Sequence, residues 1–258
     1  MMNPLDGCYA KVRQAEGHAK TLHEEIGAFH KLGVIRIDGQ PEPQSTDYVF
    51  RVKASEEPPI LDWGCRIGDV LHNLHSALDH LAWQLVVFHK GEQFAEQEAR
   101  SIYFPVALAP NDFNSLAIVQ MIDPAHLATL RGLQPYHRGD RKRAEGHPLA
   151  TLKSLSNIDK HRIIHMSYVA LREFPFRVRK ARDYKVTRVI TQPDSAPLKD
   201  GQELARVEGE FTGPKPEIEG YAKLTGHVAL SDGTPLQHKL DQLSRAVRHV
   251  LDQFKSAL

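Results

Sequence analysis

Apolar residues recur at alternating steps of three and four in three long stretches of the chain. Over 4–32 they are Leu5, Cys8, Val12, Ala15, Ala19, Leu22, Ile26 and Phe29. Over 65–90 they are Ile67, Leu71, Leu74, Leu78, Leu81, Leu85 and Phe88, and over 235–257 they are Leu236, Leu240, Leu243, Val247, Val250 and Phe254. At 3.6 residues per turn such positions fall on one side of an α-helix. Three helices with matched stripes at the start, middle and end of the chain predict a bundle.

The pattern elsewhere is β. Runs at 34–37 and 48–53 read as short strands joined through Asp38-Gly39-Gln40-Pro41, with Glu57-Pro58-Pro59 ending the piece. Over 163–230, β-rich segments at 163–171, 176–179, 186–191, 203–210 and 221–229 are separated by turn signals such as Asp200-Gly201 and Thr212-Gly213-Pro214. The predicted class is α+β: one domain over 1–258, a helical bundle with an antiparallel sheet inserted at 163–230. Between bundle and sheet the pattern predicts a Glu/Gln-rich loop after Lys90-Gly91. One or two short helices follow over 111–131, the first capped by Asn111 or Asp112 and the second opened by Asp123-Pro124. Residues 137–147 are basic and turn-rich. They read as a mobile, solvated loop, or alternatively as a phosphate-contacting lid. A short helix is expected over 148–157.

The middle helix is unusual on its polar side. Asp69, Asn73, Ser76 and His80 stack on one face, and His72, His75 and Asp79 share an adjacent one. Between Gly68 and His89 there is no Lys, Arg or Glu, whereas a solvated helix face is normally filled with them. Protein is therefore expected to cover this face, either as a hydrogen-bond network fixing helix packing or as a catalytic or binding surface. A second motif, Asn157-Ile158-Asp159-Lys160-His161-Arg162, sets four ionisable residues between apolar runs. Such a cluster is costly unless it is paired or forms a site, and an Asp159–Arg162 ion pair would satisfy it.

Composition narrows the field. A chain of 258 residues with 41% hydrophobic content and a formal charge of +1 argues for a globular protein without a broad nucleic-acid surface. Two cysteines, Cys8 and Cys65, suggest neither a disulfide scaffold nor a zinc ribbon. No apolar run spans a bilayer and no signal-peptide pattern opens the chain, so a cytoplasmic location away from membranes is expected. A Gly-rich phosphate loop, a GxSxG elbow, an HExxH and a CxxC are all missing from the sequence.

If the two polar motifs meet, they offer a general base (His80 or His161), an orienting carboxylate (Asp79 or Asp159) and a cation for an anionic transition state (Arg162). That set suits metal-independent cleavage of RNA, in which a base deprotonates the 2′-hydroxyl, and it calls for no cofactor. Asp69, His72, Asp79, His80 and His161 would equally serve as metal ligands in a hydrolase or oxygenase. Asp69, His72, His75, Asp159 and Tyr136, the last in the Gln134-Pro135-Tyr136 run, complete the candidate binding residues.

The run IGDVLHNLHSALDHLAWQL, followed by QPY and NIDKHR, resembles a group of bacterial proteins with a GD-x-x-HNLRSALDHL helix and a later DKHR, a group that brings no established activity. An arginine, a short spacer and a histidine on a bundle helix also resembles, more remotely, the HEPN superfamily. Many of its members are metal-independent RNases that work as dimers, and others are non-catalytic. The resemblance implies a homodimer acting on RNA or a small anionic ligand, with His80 as the motif histidine and Asn73 as its polar neighbour. The motif arginine would fall at position 75, where this chain has His75. Imidazole is only partly cationic at neutral pH and anchors phosphate less well than guanidinium.

Overall fold

The middle helix is the longest element: α2 runs Ile60–Lys90, starting five residues before its stripe implies. Ile67, Leu71, Leu74, Leu78, Leu81 and Leu85 are buried as the spacing predicts. Val70, Ala77, Ala82 and Val86 are buried as well and widen the stripe into a broad apolar face. Each large side chain removed from water contributes about 1.5–3 kcal/mol. Phe88, the last residue of the stripe, is instead exposed.

The computed structural model describes residues 3–43, 45–164, 166–169, 176–179, 185–191, 199–210, 217–220, 227–230, 233–256 and 258. The class is α+β. The chain divides into two compact units, one of Met1–Leu22, Leu61–Ile164 and Gln237–Leu258, the other of His23–Ile60 and His165–Leu236.

In the helical unit, the first part of α1 (Asp6–Lys31) joins α2 and α8 (Leu236–Asp252). The Tyr9 hydroxyl donates to Asp252 at 2.6 Å, and Arg248 Nε donates to Glu16 at 2.6 Å. Rising numbers on α1 meet falling numbers on α8, so the two helices run antiparallel. Leu5, just before α1, and Cys8, Val12, Ala15, Ala19 and Leu22 along it are buried, as are Leu240, Leu243, Val247 and Val250 along α8. Burial pushes the Cys8 thiol up to about 11, which keeps it protonated and inert.

Short helices connect α2 to the end of the unit: α3 (Glu92–Gln97), α4 (Pro110–Asn114), α5 (Pro124–Gly132), α6 (Arg141–Glu145) and α7 (Pro148–His161). Several depart from the sequence reading. The Glu/Gln-rich stretch is helical. No side chain caps α4, whose N-cap is Ala109. Asp123 does cap α5, accepting from Ala125 N at 2.9 Å. The basic 137–147 stretch is folded, with a 3-10 turn at Pro135–Arg138 and then α6, capped by Asp140. Its charges pair locally, Arg141 with Glu145 and Arg143 with Asp140, and such i,i+4 and capping contacts favour helix over loop. Helix α7 continues to His161, past the expected end at 157, so the Asp159 motif is helical.

The β unit is built from two parts of the sequence. Strands β1 (Ile35–Pro41) and β2 (Tyr48–Ala54) precede α2. After α7 come β3 (Met166–Val169), β4 (Phe176–Arg179), β5 (Lys185–Thr191), β6 (Glu203–Glu210), β7 (Glu217–Gly220) and β8 (His227–Leu230). The hairpin β1–β2 pairs onto β6, giving an antiparallel sheet in the order β1-β2-β6-β5. The sheet is therefore not confined to the 163–230 insertion. Strands β3–β8 and β4–β7 form separate antiparallel pairs, and β7 has no counterpart in the sequence reading. The expected strand at 221–229 lies largely outside the described residues.

Tyr48, Phe50, Ala205 and Val207 form a buried apolar cluster, with Ile37 and Val186 packed against it. Gly39 stands opposite Phe50 in the register, and a Cβ there would come within 2.5 Å of the ring. The missing side chain lets the aromatic ring cover the neighbouring strand. Arg206 on β6 clips the β1–β2 connection by donating to Asp47 at 3.0 Å, Glu42 at 3.3 Å and Glu203 at 2.8 Å.

Candidate functional site

The polar face of α2 resolves into two clusters about two turns apart. The first stands where α7 meets α2. Gly68 leaves room for the Asp159 carboxylate: a Cβ at Gly68 would lie 2.5 Å from Asp159 Oδ1. Burial and the neighbouring Asp69 charge push the Asp159 carboxyl above its usual range, and His72 partly opposes them. The two sequence motifs are thus brought near one another: Asp159 packs on Gly68 and feels the charges of Asp69 and His72. Sequence reasoning missed Gly68, although a glycine inside a strongly helical run is itself a signal of close approach.

The remaining groups of this cluster satisfy one another along the helix. The Asn73 amide donates to the Asp69 carbonyl at 2.9 Å. His72 Nε2 and Ser76 Oγ are 3.5 Å apart, the outer limit of a hydrogen bond. Asp69 and His72 are exposed, and Asn73, His75, Ser76 and Asp79 are half-buried. The expectation that protein covers the whole face is therefore corrected: short polar residues at i,i+4 spacing serve as one another's partners.

The second cluster centres on Asp79. Its Oδ1 accepts from the Phe104 backbone N–H at 2.9 Å, and its Oδ2 lies 3.1 Å from His75 Nδ1. An ionised carboxylate only accepts, so Nδ1 of His75 carries the hydrogen and Nε2 is left as the free acceptor. The histidine that Asp79 orients is His75. His80 is exposed and makes no hydrogen bond among the described residues. It lines a cavity of about 490 Å³ with Asp79, Trp83, Gln84 and Ile102, and the α1 backbone at Gly7 passes close to its Nδ1. Trp83, Gln84 and Ile102 escaped the sequence reading because a half-buried Trp and Gln on a helix have no distinctive spacing.

The end of α7 that carries His161 and Arg162 does not join His80 through this contact. Asp159 seats on Gly68, and His80 stands 12 residues further along α2, about 18 Å at 1.5 Å per residue. His161 and Arg162 are exposed at the C-terminal end of α7. No Asp159–Arg162 ion pair forms among the described residues. For Lys160, His161 and Arg162 exposure, not pairing, removes the desolvation penalty that the sequence raised, whereas Asp159 keeps part of it. Tyr136 is half-buried between rings, 6.4 Å from Phe113 and 4.5 Å from His137, and burial pushes its hydroxyl above the usual range. It acts there as a packing brace.

No group of three or more His, Cys, Asp or Glu among the described residues is arranged to hold a metal ion. No described helix is long and apolar enough to cross a membrane. Comparison with protein-family models, with curated proteins and with solved structures returns no match.

Proposed function

We propose that the helical unit is a metal-independent, HEPN-like phosphodiesterase acting on RNA or a related ester. One observation carries the reading: the Asp79 carboxylate, fixed by Phe104 N–H, holds His75 through Nδ1 and itself lines a cavity together with His80. A carboxylate-oriented imidazole is equipped to take a proton from a 2′-hydroxyl, and a second histidine to return one to the departing 5′ oxygen. The roles differ from those expected from sequence. His75 is the base, Asp79 its positioning partner and His80 the acid, with Arg162 outside this cavity. Single substitutions His75→Ala and His80→Ala should each lower cleavage of a single-stranded RNA by at least about 100-fold while leaving the melting temperature unchanged. Full activity in either variant would refute the assignment.

A second reading is favoured by specific observations. Both oxygens of Asp79 are spent on packing contacts, and among the described residues no Lys or Arg lines the cavity to meet phosphoryl charge. In that reading the cluster is a structural network of a non-catalytic binding module. Asp79→Asn should then destabilise the protein by about 1 kcal/mol, a modest value because the carboxylate is about one-third exposed. RNA cleavage would be undetectable in the wild type, and an unaltered denaturation midpoint in the variant would count against the network.

A further inference from the structure

A second cavity of about 490 Å³ lies in the helical unit, between the 132–149 segment and α8. Its basic side chains come from two places. Arg138, His137 and His147 stand on the turn and cap before α7, and Arg245 and His249 stand one turn apart on α8. Among the described residues no carboxylate lines it. Its floor is apolar, from Leu133, Leu149 and Val250.

The basic groups are held in place by neutral partners. His147 caps α7, its Nδ1 accepting from Leu149 N at 3.2 Å. His137 Nε2 bonds the Arg131 carbonyl at 2.9 Å, and Tyr136 braces the same turn. Arg245 Nε donates to the Asp241 carbonyl at 3.2 Å, which leaves its terminal amino groups uncommitted. Neither Arg138 nor Arg245 pairs with a carboxylate among the described residues. Burial, and after it the Arg138 charge, push the His147 imidazole below its usual range.

We infer that this cleft binds the phosphate group of a small phosphorylated molecule. Two guanidinium groups match the oxygens of a dianion better than those of a single carboxylate. The volume falls within the range of small-molecule sites, roughly 300–1,000 Å³, and an apolar floor beside the charges suits the non-phosphate part of such a ligand. The inference does not depend on the histidine chemistry on α2.

The test is calorimetric titration of the full chain with ribose 5-phosphate, inorganic phosphate and a short single-stranded RNA. Ribose 5-phosphate should bind saturably and more tightly than inorganic phosphate. Arg138→Gln and Arg245→Gln should each weaken it severalfold, and the double variant at least tenfold, with circular dichroism unchanged. Absence of saturable binding, or equal affinity in the double variant, would overturn the assignment. Equal affinity for inorganic phosphate would make the free anion the occupant. Preferential RNA binding lost in the same variants would make it a polynucleotide. Either result rejects a small phosphorylated ligand.

Discussion

Arg206 in the β unit meets three carboxylates, Glu203, Asp47 and Glu42, at 2.8–3.3 Å, whereas Arg138 and Arg245 in the helical unit meet none among the described residues. The same side chain does different work in the two places. Arg206 crosslinks β6 to the β1–β2 connection, and its donors are consumed within the fold. Its hydrogen bonds to Glu203 and Asp47 push its pKa up. Arg138 and Arg245 line a cavity and keep donors for something that is not protein. A paired arginine spends its donors on architecture, and arginines without counter-charge keep theirs available to a ligand.

The largest stability effect that would sharpen this contrast is at Arg206. Arg206→Ala should cost about 1–2 kcal/mol, because several charge-assisted bonds are lost together although solvent screens each one. Arg245→Ala should stay within about 0.5 kcal/mol of wild type, as a surface change without partners does. Urea denaturation of both variants checks the pair, and equal losses would erase the distinction.

A smaller effect is expected at Asp159, a carboxylate crowded by a like charge. Its folded-state pKa lies above the unfolded value, so the stability it contributes is fully present below the unfolded pKa and is lost as pH rises through the folded one. Asp159→Asn should therefore melt higher than wild type at pH 7. The gap should close once the pH drops below the ordinary Asp value of about 3.9. Thermal melts across that range decide it, and a gap of constant size would mean that Asp159 carries no such penalty.

Legibility in the sequence followed the strength of each periodic signal. The stripes of α1, α2 and α8 were readable because every third or fourth residue is Leu, Val, Ile or Ala over many turns. Strands β4 and β6 were readable between their turn residues. β7 was not, because Glu217-Ile218-Glu219-Gly220 carries a single apolar residue and so shows no alternation. The basic 137–147 stretch looked like a loop because glycine and charge density mask a short helix whose stability comes from Asp140 capping and local ion pairs. At the candidate site the residue types were visible but the partners were not. Asp79 and His80 are adjacent in sequence, yet neighbouring helix residues point about 100° apart, and it is the i−4 neighbour His75 that Asp79 reaches.

The sequence by itself determined the α+β class, the three long helices and the stretch of α2 that carries the unusual chemistry. These depend on local periodicity and composition, which any segment of chain displays on its own. Tertiary structure alone decided that the first hairpin pairs with β6, that Asp159 seats on Gly68, that Phe104 anchors Asp79, and that Arg138 and Arg245 face one cavity from positions more than a hundred residues apart. Each of those is a contact between segments distant in sequence, set by how the apolar faces close on one another, and no local pattern encodes it.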